Sequence, residues 1–113
     1  MKIDLAKNEK IHFVGIGGIG MSGLALIMKG MGFNIQGSDI SSNKNIERLK
    51  KNKIKISIGH RKKHIKNVTI LVISSAIKNN NPEVIEAKRK ALPIYKRGAV
   101  SYTHLTLPTT VIV

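Results

Sequence analysis

The chain has 113 residues, enough for one domain and too few for two of ordinary size. It contains no cysteine, which removes disulfides, thiolate catalysis and thiolate metal sites, and no apolar run approaches the length of a membrane span. The formal net charge of +14 comes mostly from lysine, and the dense basic stretch from Lys50 to Lys66 has no aromatic side chain on which a base could stack. A solvated lysine face, no specific nucleic-acid partner and no membrane are therefore expected. The N-terminus also lacks the apolar core of a signal peptide, which suits a cytoplasmic protein.

The first element is an apolar run at residues 11–16 that reads as a buried strand and drives directly into glycines. Gly15, Gly17 and Gly20 fill the three positions of a G-x-G-x-x-G turn, and Met21, Leu24, Ala25, Met28 and Met31 then recur at helical spacing. In such a strand–turn–helix unit the first glycine allows the sharp turn. The second allows backbone to approach a phosphate, and the third allows the helix to pack on its strand. The helix opens with N–H groups that have no intrahelical partner, so the turn is a candidate phosphate cradle.

Gly30 and Gly32 end this helix, and residues 33–38 make a second strand. A polar loop at residues 41–43 leads into a short helix with Ile46 and Leu49 inward. The alternation Ile54, Ile56, Ile58 then predicts a strand near the sheet edge. Residues 68–73 read as another buried strand. Asn81-Pro82-Glu83 supplies a helix start, with a capping side chain, proline at the first position and an acid in the first turn. That helix is expected to reach about Ala91, and residues 93–96 form a last strand. The alternation predicts an α/β fold: a Rossmann-like, mostly parallel sheet of about five strands with helices on both faces.

Ligands of such sheets sit beyond the carboxyl ends of the strands. This singles out residues 15–22, Ser38 and Asp39, Gly59 and His60, and residues 74–77. Asp39 stands nineteen residues after Gly20, where an acid receives hydrogen bonds from a ribose; the alternative is a turn cap, given Ser41 and Ser42. Ser74 and Ser75 suit a pyrophosphate or sugar as well as a local turn. His60 and His64 are four apart, but the intervening Arg61-Lys62-Lys63 opposes a metal, so solvent-facing histidines are expected, with His60 near a ligand. His12 reads as a packed or hydrogen-bonded residue. The residues alone leave open a nicotinamide-dependent oxidoreductase domain and a non-catalytic nucleotide-binding module.

Taken together, Gly15-Ile16-Gly17-Gly18-Ile19-Gly20-Met21-Ser22-Gly23, Gly37-Ser38-Asp39, Gly59-His60, Val72 to Ile77 and Asn81-Pro82-Glu83 resemble the Mur ligases of peptidoglycan synthesis over roughly residues 8–97. The Gly-Gly-Ile-Gly-Met-Ser-Gly form favours the branch acting on UDP-N-acetylmuramate over the muropeptide-recycling branch. The resemblance implies that residues 1–99 are the first of three domains and hold the UDP-sugar. Gly17, Gly18, Ile19, Gly20, Met21 and Ser22 would grip the diphosphate, and Gly15 would belong to the same substrate site. Ser38, Asp39 and His60 would face the uridine, Ser74, Ser75, Ala76 and Ile77 would line the diphosphate and sugar, and Arg97 would sit near the domain's end. The full-length enzyme would use ATP, Mg2+ and L-alanine to form an amide bond through an acyl phosphate. The ATP loop and the other two domains are missing here, so this chain alone is expected to be inactive and to bind neither cofactor. Residues 100–113 are expected to depart from the family. Val100 to Thr110 looks like one reading frame of a transposase adapter, and the stretch is expected to be foreign sequence.

Overall fold

The structure, a computed structural model, describes residues 2–4, 9–99 and 106–108. In chain order the elements are β1 (Lys2–Asp4), β2 (Lys10–Val14), α1 (Ile19–Gly30), β3 (Asn34–Asp39), α2 (Lys44–Lys51) and β4 (Lys55–Ile58). A 3-10 turn (Lys62–Ile65), β5 (Ile70–Ile73), α3 (Pro82–Arg89), β6 (Ile94–Lys96), a second 3-10 turn (Arg97–Ala99) and β7 (Thr106–Pro108) follow. Strands β2 to β6 form one sheet in the order β4-β3-β2-β5-β6, with every pair parallel. The chain winds outward from β2 through β3 to β4, then returns to β5 on the other side of β2. The five-stranded parallel sheet expected from sequence is therefore present. The antiparallel pair β1–β7, with Ile3 opposite Leu107, is an addition to it.

Alternation along the strands divides the interior into two apolar layers. Ile11, Phe13, Ile35, Ile70 and Val72 pack against Met21, Leu24, Ala25 and Met28 of α1 and Ile46 and Leu49 of α2. Val14, Leu71, Ile73 and Ile94 pack on the opposite face against Val84 and Ala87 of α3 and Ile65 and Val68 before β5. Helices thus cover both faces, as right-handed crossovers from a central strand require.

All three helices stop in the same way. After α1, Gly32 N–H donates to Lys29 and Phe33 N–H to Met28. After α2, Lys53 donates to Lys50 and Ile54 to Leu49. After α3, Ala91 donates to Lys88 and Leu92 to Ala87. This paired pattern requires a left-handed residue at the turn, and Gly32, Lys53 and Ala91 have φ of 94°, 64° and 57°. Each apolar residue that follows (Phe33, Ile54, Leu92) returns to the helix it leaves and leads toward the next strand.

Gly37 has a packing role absent from the sequence reading. A Cβ there would lie 2.4 Å from Ile16 Cδ1 and 2.8 Å from the Phe13 carbonyl oxygen. Its bare backbone lets Ile16, fully buried, fold over β3 and lock the start of the glycine turn to the neighbouring strand.

Candidate functional site

The turn after β2 is fastened on both sides. Gly15, with φ of +82°, and Ile16 both donate to the Ser38 carbonyl, at 2.9 and 3.0 Å. Gly17 N–H donates to Asp39 Oδ2 at 2.7 Å, and the Gly17 carbonyl accepts from Asn45 Nδ2 at 2.9 Å and Asn43 Nδ2 at 3.3 Å. Asn43 also caps α2 by accepting the Ile46 N–H. The peptide at Gly17 is held by three side chains, two of which, Asn43 and Asn45, were not anticipated from sequence. Their signal was available: an asparagine at a helix start beside a glycine turn has both a donor and an acceptor to offer.

The glycines serve partly different ends from those expected. At Gly17 an added Cβ would meet Asp39 Oδ2 at 2.7 Å, so the space is used by the carboxylate that holds the turn. At Gly20 it would meet Arg97 Nε at 2.8 Å and Cζ at 3.1 Å. The third glycine therefore seats a guanidinium and not a strand; close helix–sheet packing falls to Gly37 and Ile16. Helix α1 begins at Ile19 with Gly18 as N-cap, no side-chain cap and no acid in its first turn. Its leading amides and positive dipole end face outward, with a cation beside them.

Two cavities share Gly18 and Ser74 as a common ridge. One, of about 580 Å³, is lined by Gly15, Gly17, Asp39, His60, Ala76 and Ile77, joined by Ile40, Asn43 and Lys78. The other, of about 680 Å³, is lined by Gly20, Met21, Ser75, Lys96 and Arg97. The carboxyl rim thus brings together most residues named from sequence. Three stand apart. Ile19 projects its side chain into solvent, leaving only its amide to the site. Ser22 is buried, with its hydroxyl donating to Ile19 and its amide to Gly18. Ser38 is buried beneath His60. Asp39 lines a cavity while also receiving the amides of Gly17 and Ile40, so the ligand-facing and turn-capping readings coincide in one side chain.

Under the rim lies a polar cluster centred on Glu83, whose side chain is wholly buried. Oε1 accepts from His12 Nε2 at 2.7 Å and from the Ser38 hydroxyl at 2.6 Å. Oε2 accepts from His64 Nδ1 at 2.6 Å and the Arg61 amide at 3.0 Å. Burial alone would raise this carboxyl, but the hydrogen bonds it receives from His12, Ser38 and His64 hold it down at about 2. Gln36 Nε2 donates to His12 Nδ1 at 2.7 Å and to the His64 carbonyl at 3.1 Å, which fixes the amide's orientation and places the His12 proton on Nε2. His12 is hydrogen-bonded, as expected. His60 and His64 are not solvent-facing: their side chains are only 11% and 12% exposed because Glu83 draws both inward. From sequence Glu83 reads as a first-turn acid on a helix surface; its partners lie up to 71 residues away and become visible only in the fold.

Among the described residues no group of three or more His, Asp or Glu side chains is placed to hold a metal ion, and no helix is long and apolar enough to cross a membrane. With Asp39 and Glu83 committed to protein donors, these residues do not fit a magnesium-bound triphosphate.

Comparison with known proteins places the arrangement. Residues 10–103 match the model described as "Mur ligase family, catalytic domain". A UDP-N-acetylmuramate–L-alanine ligase of Pelagibacter ubique is 71% identical over the whole chain, which spans 24% of that protein. The crystal structure of the UDP-N-acetylmuramate-alanine ligase from Thermotoga maritima superposes with a TM-score of 0.75 at 36% identity, over 78% of this chain and 20% of that one. The UDP-N-acetylmuramate:L-alanyl-gamma-D-glutamyl-meso-diaminopimelate ligase from Neisseria meningitides superposes at 0.73 with 27% identity, over 80% and 29%. The chain therefore spans about a quarter of the length of the curated relative it matches, and with this fold, this glycine turn and these relatives it belongs to the Mur ligase family.

Proposed function

We propose that this domain binds the UDP portion of UDP-N-acetylmuramate for a cytoplasmic, ATP- and Mg2+-dependent ligase that joins L-alanine to the muramate carboxylate in peptidoglycan synthesis. One observation carries the reading: the Arg97 guanidinium rests on the bare face of Gly20, beside the uncapped, positive end of α1. A guanidinium and the amide end of a helix on the same rim make that rim positive, and an anion there is favoured by both. Lys96 in the same cavity adds to the field. A diphosphate over Gly18 would meet these charges and the amides of Ile19, Gly20 and Met21. The cavities to either side would receive the nucleoside and the sugar. The Pelagibacter and Thermotoga relatives, named for the L-alanine ligase, support the choice of branch.

Calorimetric titration of the chain with UDP-N-acetylmuramate, with NADH as the competing dinucleotide, tests this directly. Saturable binding of the UDP-sugar and none of NADH is expected; the reverse would overturn the assignment. We propose separately that residues 100–113 are foreign to the domain. Sequencing reads that cross the codon for Ala99 should diverge there, and uninterrupted genomic coverage would sink that part.

A further inference from the structure

We propose that Glu83, acting through Ser38, is a positioning residue that holds His60 with its proton on Nδ1 and so presents Nε2 to the ligand as a hydrogen-bond acceptor.

The deduction follows the donors. Glu83 receives four hydrogen bonds, two on each oxygen. An ionised carboxylate can only accept, so the 2.6 Å contact with Ser38 commits the single hydroxyl proton of Ser38 to Glu83. Ser38 Oγ is then left only lone pairs for His60 Nδ1, 2.9 Å away, and that contact requires the proton on Nδ1. His60 lines the cavity beside Gly17, Asp39 and Asn43, and among the described residues its Nε2 has no hydrogen-bond partner and is not buried. The neighbours keep the relay from reversing. His12 and His64 face Glu83 with N–H groups, and Gln36 holds His12 in that tautomer. Gly59, at φ of +93° and anchored by its amide to the Asp39 carbonyl, sets the backbone from which His60 reaches back over Ser38.

A bare imidazole nitrogen at this end of the cavity recognises an N–H or O–H donor, such as a ribose hydroxyl or a base imide, and not a phosphate oxygen. Resting on the UDP-sugar reading, this makes His60 a reader of the nucleoside and Glu83 its remote support.

The test joins imidazole nitrogen-15 spectra of the free 113-residue chain at pH 7.5 to calorimetry with UDP-N-acetylmuramate. The His60 signals are assigned from a His60→Gln variant. The unmodified chain should show a protonated Nδ1 and a bare Nε2 at His60. Ser38→Ala should release His60 to a mixture of tautomers and weaken binding about tenfold while the other histidine signals stay in place. Glu83→Gln should likewise mix the His60 tautomers and weaken binding with Ser38 intact, while also moving the His12 and His64 signals, whose N–H groups lose the same carboxylate; should it fail to fold, Ser38→Ala decides alone. An unchanged His60 tautomer in Ser38→Ala, or a changed tautomer with unchanged affinity, overturns the proposal. An unmodified chain that does not bind the UDP-sugar overturns the ligand assignment instead. The two failures are distinguishable because the tautomer is read without ligand.

Discussion

Asp39 Oδ2 accepts the Gly17 N–H at 2.7 Å while its partner oxygen accepts the Ile40 N–H at 2.8 Å. One carboxylate thereby joins the end of β3 to the middle of the glycine turn. Asp39→Ala removes both charge-assisted bonds and should cost about 2 kcal/mol in urea unfolding. Binding of the UDP-sugar should weaken as well, because the turn loses its fastening. A stability change under about 0.5 kcal/mol would show that Asn43, Asn45 and the Ser38 carbonyl hold the turn without Asp39.

Gly20→Ala separates recognition from folding. The new methyl meets the Arg97 guanidinium, the end of a long side chain, and not backbone. Alanine is the better helix former by about 0.5–1 kcal/mol, so the melting temperature should hold or rise. Affinity for the UDP-sugar should fall at least tenfold, about 1.4 kcal/mol. Calorimetry paired with thermal unfolding would show the two quantities moving in opposite directions.

Lys53 and Ala91 occupy left-handed positions with a Cβ they do not need, and both are solvent-exposed. Lys53→Gly and Ala91→Gly should each stabilise the domain by about 0.5–1 kcal/mol, since relief of the Cβ clash outweighs the added freedom of the unfolded chain. Chemical denaturation checks this. Asn67, at φ of 63°, should gain less, because asparagine tolerates that region.

Acid sensitivity should centre on Glu83. Its carboxyl titrates at about 2 in the fold against 4.5 in the unfolded chain. The stabilisation this supplies, about 3 kcal/mol, is complete above pH 4.5 and is lost as pH falls toward 2. Glu83→Gln should flatten the stability profile across that window. An unchanged slope would mean that other carboxylates govern acid unfolding.

Much of the sheet could be read from local pattern. The apolar runs placed β2, β3 and β5 to within one or two residues, and helical spacing from Met21 to Met31 placed α1, which occupies Ile19–Gly30. Asn81-Pro82 announced α3 because cap and proline act on their own backbone. The short 3-10 turn at Lys62–Ile65 went unseen: one apolar residue among three basic ones has no periodicity to detect. The rim was legible because loops after parallel strands must gather there. The Glu83 cluster was not, because it joins residues from β2, β3, the loop after β4 and α3, and only tertiary packing turns a first-turn acid inward. Gly20 was assigned its position correctly but not its partner, since Arg97 arrives from 77 residues further along the chain.

The left-handed residues are sorted by side. Gly32, Lys53, Asn67 and Ala91 each stand just ahead of a strand, while Gly15 and Gly59 stand just behind one. The floor of the sheet therefore carries bends that set how firmly the domain holds together, and its roof carries bends that shape what it can grasp. A fluorophore or an inserted loop at the floor should leave the roof's grip intact, which makes residues 52–53 and 90–91 natural attachment points for following the folding of this domain while it is loaded.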